Sequence, residues 1–278
     1  MTVTRVILVS DTHLSPTAPQ AQSNWEAVLG HVATSVPDIV IHLGDLTLNG
    51  ARDPGQLAYA RRQLDRLPVP WHAVPGNHDV GDNPWPGAPP DSMLDTGRHQ
   101  RWLDVIGPDH WSLTIEGWLL LGINAQLLGS GLEAEVRQWS WLEDTLSQRR
   151  DSQRIALIGH KPVAAADAEM ATAPAYRFWP EPARHRLGGV LAGSPPALVA
   201  SGHVHQFRLL HLAGTDHLWV PTTWAVLPDH AQPVLGTKRC GIVSLTFASD
   251  APLEQQLIEP DGIAQLTLAK DLPDPYHG

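Results

Sequence analysis

A single cysteine, Cys240, stands in 278 residues. No internal disulfide can form, and the chain fits a reducing compartment. No apolar run approaches the ~20 residues that a membrane-spanning helix needs, so no membrane partner is expected. The first residues, MTVTRVILVSDTH, enter a strand-like pattern at once, without the charged region, long apolar stretch and cleavage site of a secretory leader; the expectation is a cytoplasmic protein. Basic residues are scarce: 19 Lys and Arg face 29 Asp and Glu, a formal charge of −10. A surface made to coat a nucleic-acid polymer needs clustered cations, so such a partner is not expected. Low-complexity linkers and internal repeats are also missing, and one domain over 1–278 is the reading. The hydrophobic fraction of 42% and charged fraction of 17% describe a globular chain with a sizeable core.

What is present is a series of short Val-, Ile- and Leu-rich runs with helix-like segments between them. The runs are Val6 to Val9, Ile39 to Ile41, Trp71 to Val74, Leu119 to Ile123, Ile155 to Ile158 and Ala197 to Ala200. Runs so short and so evenly apolar suit strands buried on both faces of a largely parallel sheet. Helices are expected near 20–35, 54–66 and 133–149, giving an α/β chain. Towards the C-terminus, Phe207 to Leu212 and Leu218 to Pro221 flank a turn, and Gln256 to Glu259 and Ile263 to Leu268 flank Pro-Asp-Gly. These read as two hairpins of a more antiparallel sheet. Residues 80–110 and 161–195 resist assignment and are expected to be lid or pocket loops.

Fifteen histidines are present, and their placement carries more than their number. The first run leads into Asp11-Thr12-His13, the second into Gly44-Asp45, and the third into Gly76-Asn77-His78-Asp79. The run at 155–158 leads into Gly159-His160 and that at 197–200 into Gly202-His203-Val204-His205. Sites of open α/β sheets form outside the carboxyl ends of strands, so five such ends would bring these side chains into one pocket. Asp11 with His13, and His203 with His205, would point the same way if their backbone were extended. A His, Asp and Asn set suits Mn, Fe, Co or Zn better than Ca or Mg, which favour oxygen cages. Gly30-His31, inside an expected helix, and Gly81-Asp82, which follows no strand, repeat the dipeptides without the context and read as incidental.

In this order the five motifs, DTH, GD, GNHD, GH and GHVH, resemble the calcineurin-like metallophosphoesterase superfamily. In size and in the GNHD form the chain is most similar to bacterial class III cyclic-nucleotide and glycerophosphodiester phosphodiesterases. The resemblance implies a four-layer αββα sandwich of two mixed β-sheets flanked by helices. It implies two divalent or mixed-valence ions and no organic cofactor. Asp11, His13, Asp45 and His205 would hold one ion, and Asp45, Asn77, His160 and His203 the other, with Asp45 bridging. His78 would face the scissile phosphate. Two cations ~4 Å apart neutralise phosphoryl oxygens and acidify a shared water; the bridging hydroxide then attacks phosphorus in line, and a histidine protonates the leaving oxygen.

The implied activity is hydrolysis of a small phosphodiester. A phosphomonoesterase or nucleotide pyrophosphatase with the same core, and a non-catalytic metal-binding scaffold, are the alternatives; a homo-oligomer is left open. Many relatives read Gly-Asp-x-x-Asp, whose last Asp orients the catalytic histidine, whereas Leu48 stands there in this chain. Asp79 is a candidate substitute. Leu48 and Asn49 also depart from the Asp-Arg of Ser/Thr protein phosphatases and the tyrosine ligand of purple acid phosphatases. Lys161, Tyr176, Arg177, Arg184, His185 and Arg186 are candidates for substrate contact. Trp85, Trp179 and Trp224 fall in loops where a base could stack, while Trp118 and Trp219 read as core. Asn49 and Cys240 have no assigned role.

Overall fold

The computed structural model describes residues 2–19 and 22–272. Strand β1 (Val3–Val9), helix α1 (Gln22–Ser35), strand β2 (Ile39–His42), helix α2 (Pro54–Leu64) and strand β3 (Trp71–Ala73) form the first half. The Asp53 carboxylate accepts the Gly55 N–H at 3.0 Å and Pro54 opens α2, a cap and a first residue that both suit a helix start. A short helix α3 (Asn77–Val80), helix α4 (Thr96–Val105), strands β4 (Trp111–Ile115) and β5 (Trp118–Ile123), and helix α5 (Glu133–Ser147) follow. Then come β6 (Arg154–Gly159), α6 (Asp167–Thr172), α7 (Glu181–Val190), β7 (Leu198–Ser201), β8 (Arg208–Leu212), β9 (Thr215–Trp219), β10 (Ile242–Ala248) and β11 (Glu254–Ile258).

Two mixed sheets result. One has the order β11-β10-β1-β2-β3, parallel over β1 to β3; the other has β4-β5-β6-β7-β9-β8, parallel from β5 to β7 and on to β9. Alternation along β1 shows how the layers form. Val6 and Leu8 point between the sheets, where they meet Leu120, Ile158 and Leu218. Ile7 and Val9 point the other way, into Trp25, Val28, Leu57 and Trp102 of α1, α2 and α4. On the far side Leu119, Leu121 and Leu157 pack under Trp139, Leu142 and Leu187 of α5 and α7. Both faces of each sheet are covered, so the inner positions of their central strands, 6–9, 39–41 and 155–158, are apolar without alternation. Each such side chain contributes about 1.5–3 kcal/mol on burial.

The hairpin expected after residue 207 is present. Ala213 (φ 49°) and Gly214 (φ 84°) both have positive φ, the turn that matches strand twist. The other hairpin is not formed. β11 pairs with β10, not with 263–268, and of that segment Thr267 and Leu268 make only isolated bridges, to Val226 and Leu272. The expected separate antiparallel sheet is therefore replaced by antiparallel strands added to each of the two mixed sheets. The segments 80–110 and 161–195 carry α4, and α6 with α7. Among the described residues no helix is long and apolar enough to cross a membrane.

Candidate metal centre

The turns after β1, β2, β3, β6 and β7 meet at one end of the two sheets. The first two turns are stitched together: Asp11 N–H donates to Gly44 O (3.1 Å), His13 N–H to Asp45 O (3.1 Å) and Leu14 N–H to Leu46 O (2.8 Å). Asp11, His13, Asp45, His203 and His205 have φ between 45° and 67°. The backbone is thus left-handed at both Asp-x-His and His-x-His, not extended as the sequence suggested. That conformation costs about 1–2 kcal/mol per residue, and it persists because the surroundings over-determine it.

Glycines allow the close approach. A Cβ on Gly76 would lie 2.1 Å from Asp45 Oδ1, and one on Gly202 would lie 1.8 Å from Ser10 Oγ. The Asp79 carboxylate brackets the turns, accepting from Leu46 N (3.1 Å), Thr47 N (2.9 Å), Thr47 Oγ1 (2.8 Å) and Gly76 N (2.9 Å). It does not reach His78 as the missing carboxylate would. That place is taken by the main chain: His78 Nδ1–H donates to the Leu48 carbonyl at 2.7 Å. Leu48 orients the histidine through an atom that its side chain does not specify.

The donors converge in three groups whose ligand atoms lie within 4.8 Å of one another: Asp11, His13 and His205; His13, Asp45 and His78; Asp45, His160 and His203. Asp45 is common to the second and third. Its Oδ2 lies 3.2 Å from His160 Nε2 and 3.9 Å from His13 Nε2, while Oδ1 accepts the His78 N–H at 2.8 Å. Asn77 Oδ1 is 3.2 Å from His160 Nε2. Asp11 Oδ2 accepts from Ser10 Oγ and from His203 N–H, leaving Oδ1 3.2 Å from His205 Nε2.

These atoms fit cations. His160 Nδ1–H donates to Leu43 O (2.8 Å) and His205 Nδ1–H to Ala225 O (2.7 Å), so each ring offers Nε2 inward, the arrangement that prepares a metal-binding histidine. His13 Nε2 and His205 Nε2 face each other at 3.3 Å. Asp11 Oδ1 and His13 Nδ1 are buried without a hydrogen-bond partner among the described residues.

The electrostatics agree. Burial raises the Asp45 carboxyl, but the imidazoles led by His160 hold it well below the usual range; Asp11 is likewise lowered against burial, by His205. Burial lowers His160, yet Asp45 outweighs it and holds it up to about 9; His205 is raised in the same way by Asp11. Burial and neighbouring imidazoles keep His13 and His203 well below their ordinary value. The buried carboxylates thus hold positive charge near them, as two cations would.

All eight sequence-predicted residues come together. Other expectations do not hold. Asp82, read as incidental, pairs with buried Lys161 and lines the cavity above the donors. Of the six substrate-contact candidates, Tyr176 and Arg177 line that cavity, whereas Arg186 pairs with Glu143 on the surface, exposed His185 lies beside Glu181, and Arg184 donates to Trp179 O. Trp118 and Trp219 are core. Trp224 packs on His13, ring centroids 4.5 Å apart, and buried Trp179 donates to Lys161 O; Trp85 lies 5.6 Å from the Tyr176 ring. None of the three lines the cavity. Cys240 is fully buried, and burial pushes its thiol up to about 11. Asn49 caps the turn into α2 with its carbonyl. The cavity, about 460 Å³, also takes walls from 227–232 and 268–269, which no motif marks.

The chain belongs to the calcineurin-like phosphoesterase family, whose sequence model matches residues 4–207, and the fold and donor set are those of a metal-dependent phosphoric ester hydrolase. It is 27% identical over 216 residues to the Arcobacter nitrofigilis protein named "Probable glycerophosphodiester phosphodiesterase GpdQ", covering 72% of this chain and 71% of that one. In fold it is similar to a dimetal phosphatase from Danio rerio (TM-score 0.61, 14% identity, 91% and 95% of the two chains). A purple acid phosphatase from yellow lupin seeds gives a TM-score of 0.63 at 18% identity, over 94% of this chain and 52% of that one.

Proposed function

We propose that this protein is a dinuclear metal-dependent phosphodiesterase acting on a small phosphodiester of the cyclic-nucleotide or glycerophosphodiester type, with the whole chain as one catalytic domain. The observation that carries the reading is Asp45: its Oδ2 lies 3.9 Å from His13 Nε2, which groups with Asp11 and His205, and 3.2 Å from His160 Nε2, which groups with His203, at the lining of a cavity of ligand size. Asp11, His13, Asp45 and His205 hold one ion, and Asp45, Asn77, His160 and His203 the second. Mn, Fe, Co and Zn suit this donor set. When bound, the ions supply neutralisation of the phosphoryl oxygens and acidification of a water.

The chain's own contribution is geometry and one proton. Asp45 Oδ1 holds the His78 main chain and the Leu48 carbonyl holds its ring. His78 is thereby fixed with Nε2 as the nitrogen that gives a proton to the departing alkoxide. As water oxygen bonds to phosphorus, the ester P–O bond breaks and its electron pair takes that proton; the proton that the water sheds passes to solvent, and one from solvent restores His78. The relative's printed name, a glycerophosphodiester phosphodiesterase, supports the diester class.

The test compares bis(p-nitrophenyl) phosphate with p-nitrophenyl phosphate, using metal-stripped protein refilled with Mn²⁺ and an Asn77→Ala variant. The expected outcome is metal-dependent turnover that favours the diester and falls at least tenfold in the variant. A monoester preference would make the protein a phosphomonoesterase, and two bound ions without turnover of either ester would favour a scaffold.

A further inference from the structure

Arg177 is the one arginine lining the cavity among the described residues. It is only 8% exposed, yet its guanidinium makes no hydrogen bond or ion pair with any described residue. Its main-chain N–H is used, donating to Pro174 O; the side chain is not. Two other cations, buried Lys161 and partly buried Arg208, are satisfied. Lys161 is held by Asp82 and Asn83, and Arg208 makes a two-pronged pair with Glu169 at 2.7 and 2.9 Å. Glu169, the acidic group that acts on Arg177 from a distance, is therefore already engaged. So are the two carboxylates of the cavity itself, Asp82 with Lys161 and Asp45 with the imidazoles. A guanidinium stays charged at any working pH, and the Arg177 nitrogens are not among the fully buried unpaired atoms of the described residues, so they open onto the cavity with their donors unused by the protein.

The scissile phosphate has its own counter-charges at the cavity floor. The cavity of about 460 Å³ is within the range that holds an entire small ligand. Its remaining wall sets apolar Leu227, Pro228 and Leu268 beside His230 and Gln232, whose side-chain oxygen accepts from Gln206, and Arg177 is the one permanently charged cation among the described lining residues. Tyr176 takes the wall against His203, ring centroids 6.3 Å apart, and Arg177 enters beside it. We infer that Arg177 is a specificity residue that receives a second anionic oxyacid group, a carboxylate or a phosphate, carried by one of the two alcohols of the substrate diester. This rests on the phosphodiesterase reading above. The planar fork of an arginine donates two parallel hydrogen bonds to such a group, and the substrate is then a diester bearing at least one charge besides the one at the scissile phosphorus. Within the proposed class this favours a glycerophosphodiester with a charged alcohol over a cyclic nucleotide, whose sole anionic group is the scissile phosphate.

The Mn²⁺-loaded protein is assayed for p-nitrophenolate release from bis(p-nitrophenyl) phosphate and from mixed diesters in which one ring carries a 4-carboxylate or a 4-phosphonate. The expected kcat/KM for one or both charged diesters exceeds that for the neutral-armed one by roughly ten- to hundredfold, and which of the two gains more separates carboxylate from phosphate recognition. Arg177→Met brings that ratio close to one, Arg177→Lys retains part of it, and Arg186→Met, on the outer surface, leaves it unchanged. No preference in the native protein, or an equal loss on all three diesters in Arg177→Met, overturns the inference. Absence of turnover on every diester defeats the phosphodiesterase reading instead, and a binding measurement still decides this one. Titration calorimetry of 4-carboxyphenyl phosphate, 4-phosphonophenyl phosphate and phenyl phosphate upholds it if a charged arm binds at least tenfold tighter and Arg177→Met removes the gain. Equal affinities refute it.

Discussion

His78 is held at both ends by atoms that a motif does not name: its N–H by Asp45 Oδ1 and its Nδ1 by the Leu48 carbonyl. A histidine proton donor contributes roughly 10²–10⁴-fold, and it contributes most where the leaving oxygen is a poor one. His78→Ala is therefore expected to lower kcat by roughly that factor on an alkyl phosphodiester and by much less on a p-nitrophenyl ester, with metal content unchanged. Equal losses on both esters would remove His78 from the proton-transfer role. The ligand-type residues were legible because each Asp, Asn or His follows an apolar run. The bracket formed by Asp79, the carbonyl of Leu48 and the left-handed backbone at Asp11 and His205 were not. They are properties of turns packed against one another, and a sequence read locally holds no record of which turn is the neighbour.

Between elements, a second polar network ties the helices to the second sheet. The Asp109 carboxylate, just before β4, accepts from His99 of α4 (2.8 Å), His110 (2.8 Å) and Asn124 at the end of β5 (2.8 Å). Asn124 in turn exchanges two hydrogen bonds with Gln138 of α5. Burial raises the Asp109 carboxyl, but the hydrogen bonds from His110, His99 and Asn124 outweigh it and hold it below the ordinary value. A depressed carboxylate stabilises the fold above its unfolded pKa of about 3.9, and that stabilisation is lost as the pH falls further, because the folded state resists the proton. Asp109→Asn is expected to cost about 1–3 kcal/mol at pH 7, with the gap to the native protein narrowing below about pH 4; denaturant unfolding at both pH values measures it. A gap that widens on acidification would contradict the assignment. At this scale the sequence revealed the strands that run straight into a site residue. It concealed β10, whose pairing partner β1 lies more than 230 residues earlier, and it suggested a hairpin at 263–268, where Pro-Asp-Gly makes a turn but Ile242–Ala248 already occupies the edge of β11.

Over the whole molecule, the two sheets share one apolar layer and present their parallel strand ends at the same side, so five turns from positions 11 to 205 meet over one cavity. The family resemblance anticipated that meeting; it did not anticipate the walls at 227–232 and 268–269, which carry no chemistry-bearing pattern and matter only through where the chain passes. On the proposed function, the floor of this cavity binds two ions through a shared Asp45, and both are needed for hydrolysis. Metal-stripped protein titrated with Mn²⁺, with bound metal and bis(p-nitrophenyl) phosphate turnover followed in the same samples, tests it most directly. The expected result is two ions per chain, turnover that develops with the second, and loss of both ion binding and turnover in Asp45→Asn. Full turnover without metal, or with a single ion per chain, would contradict it.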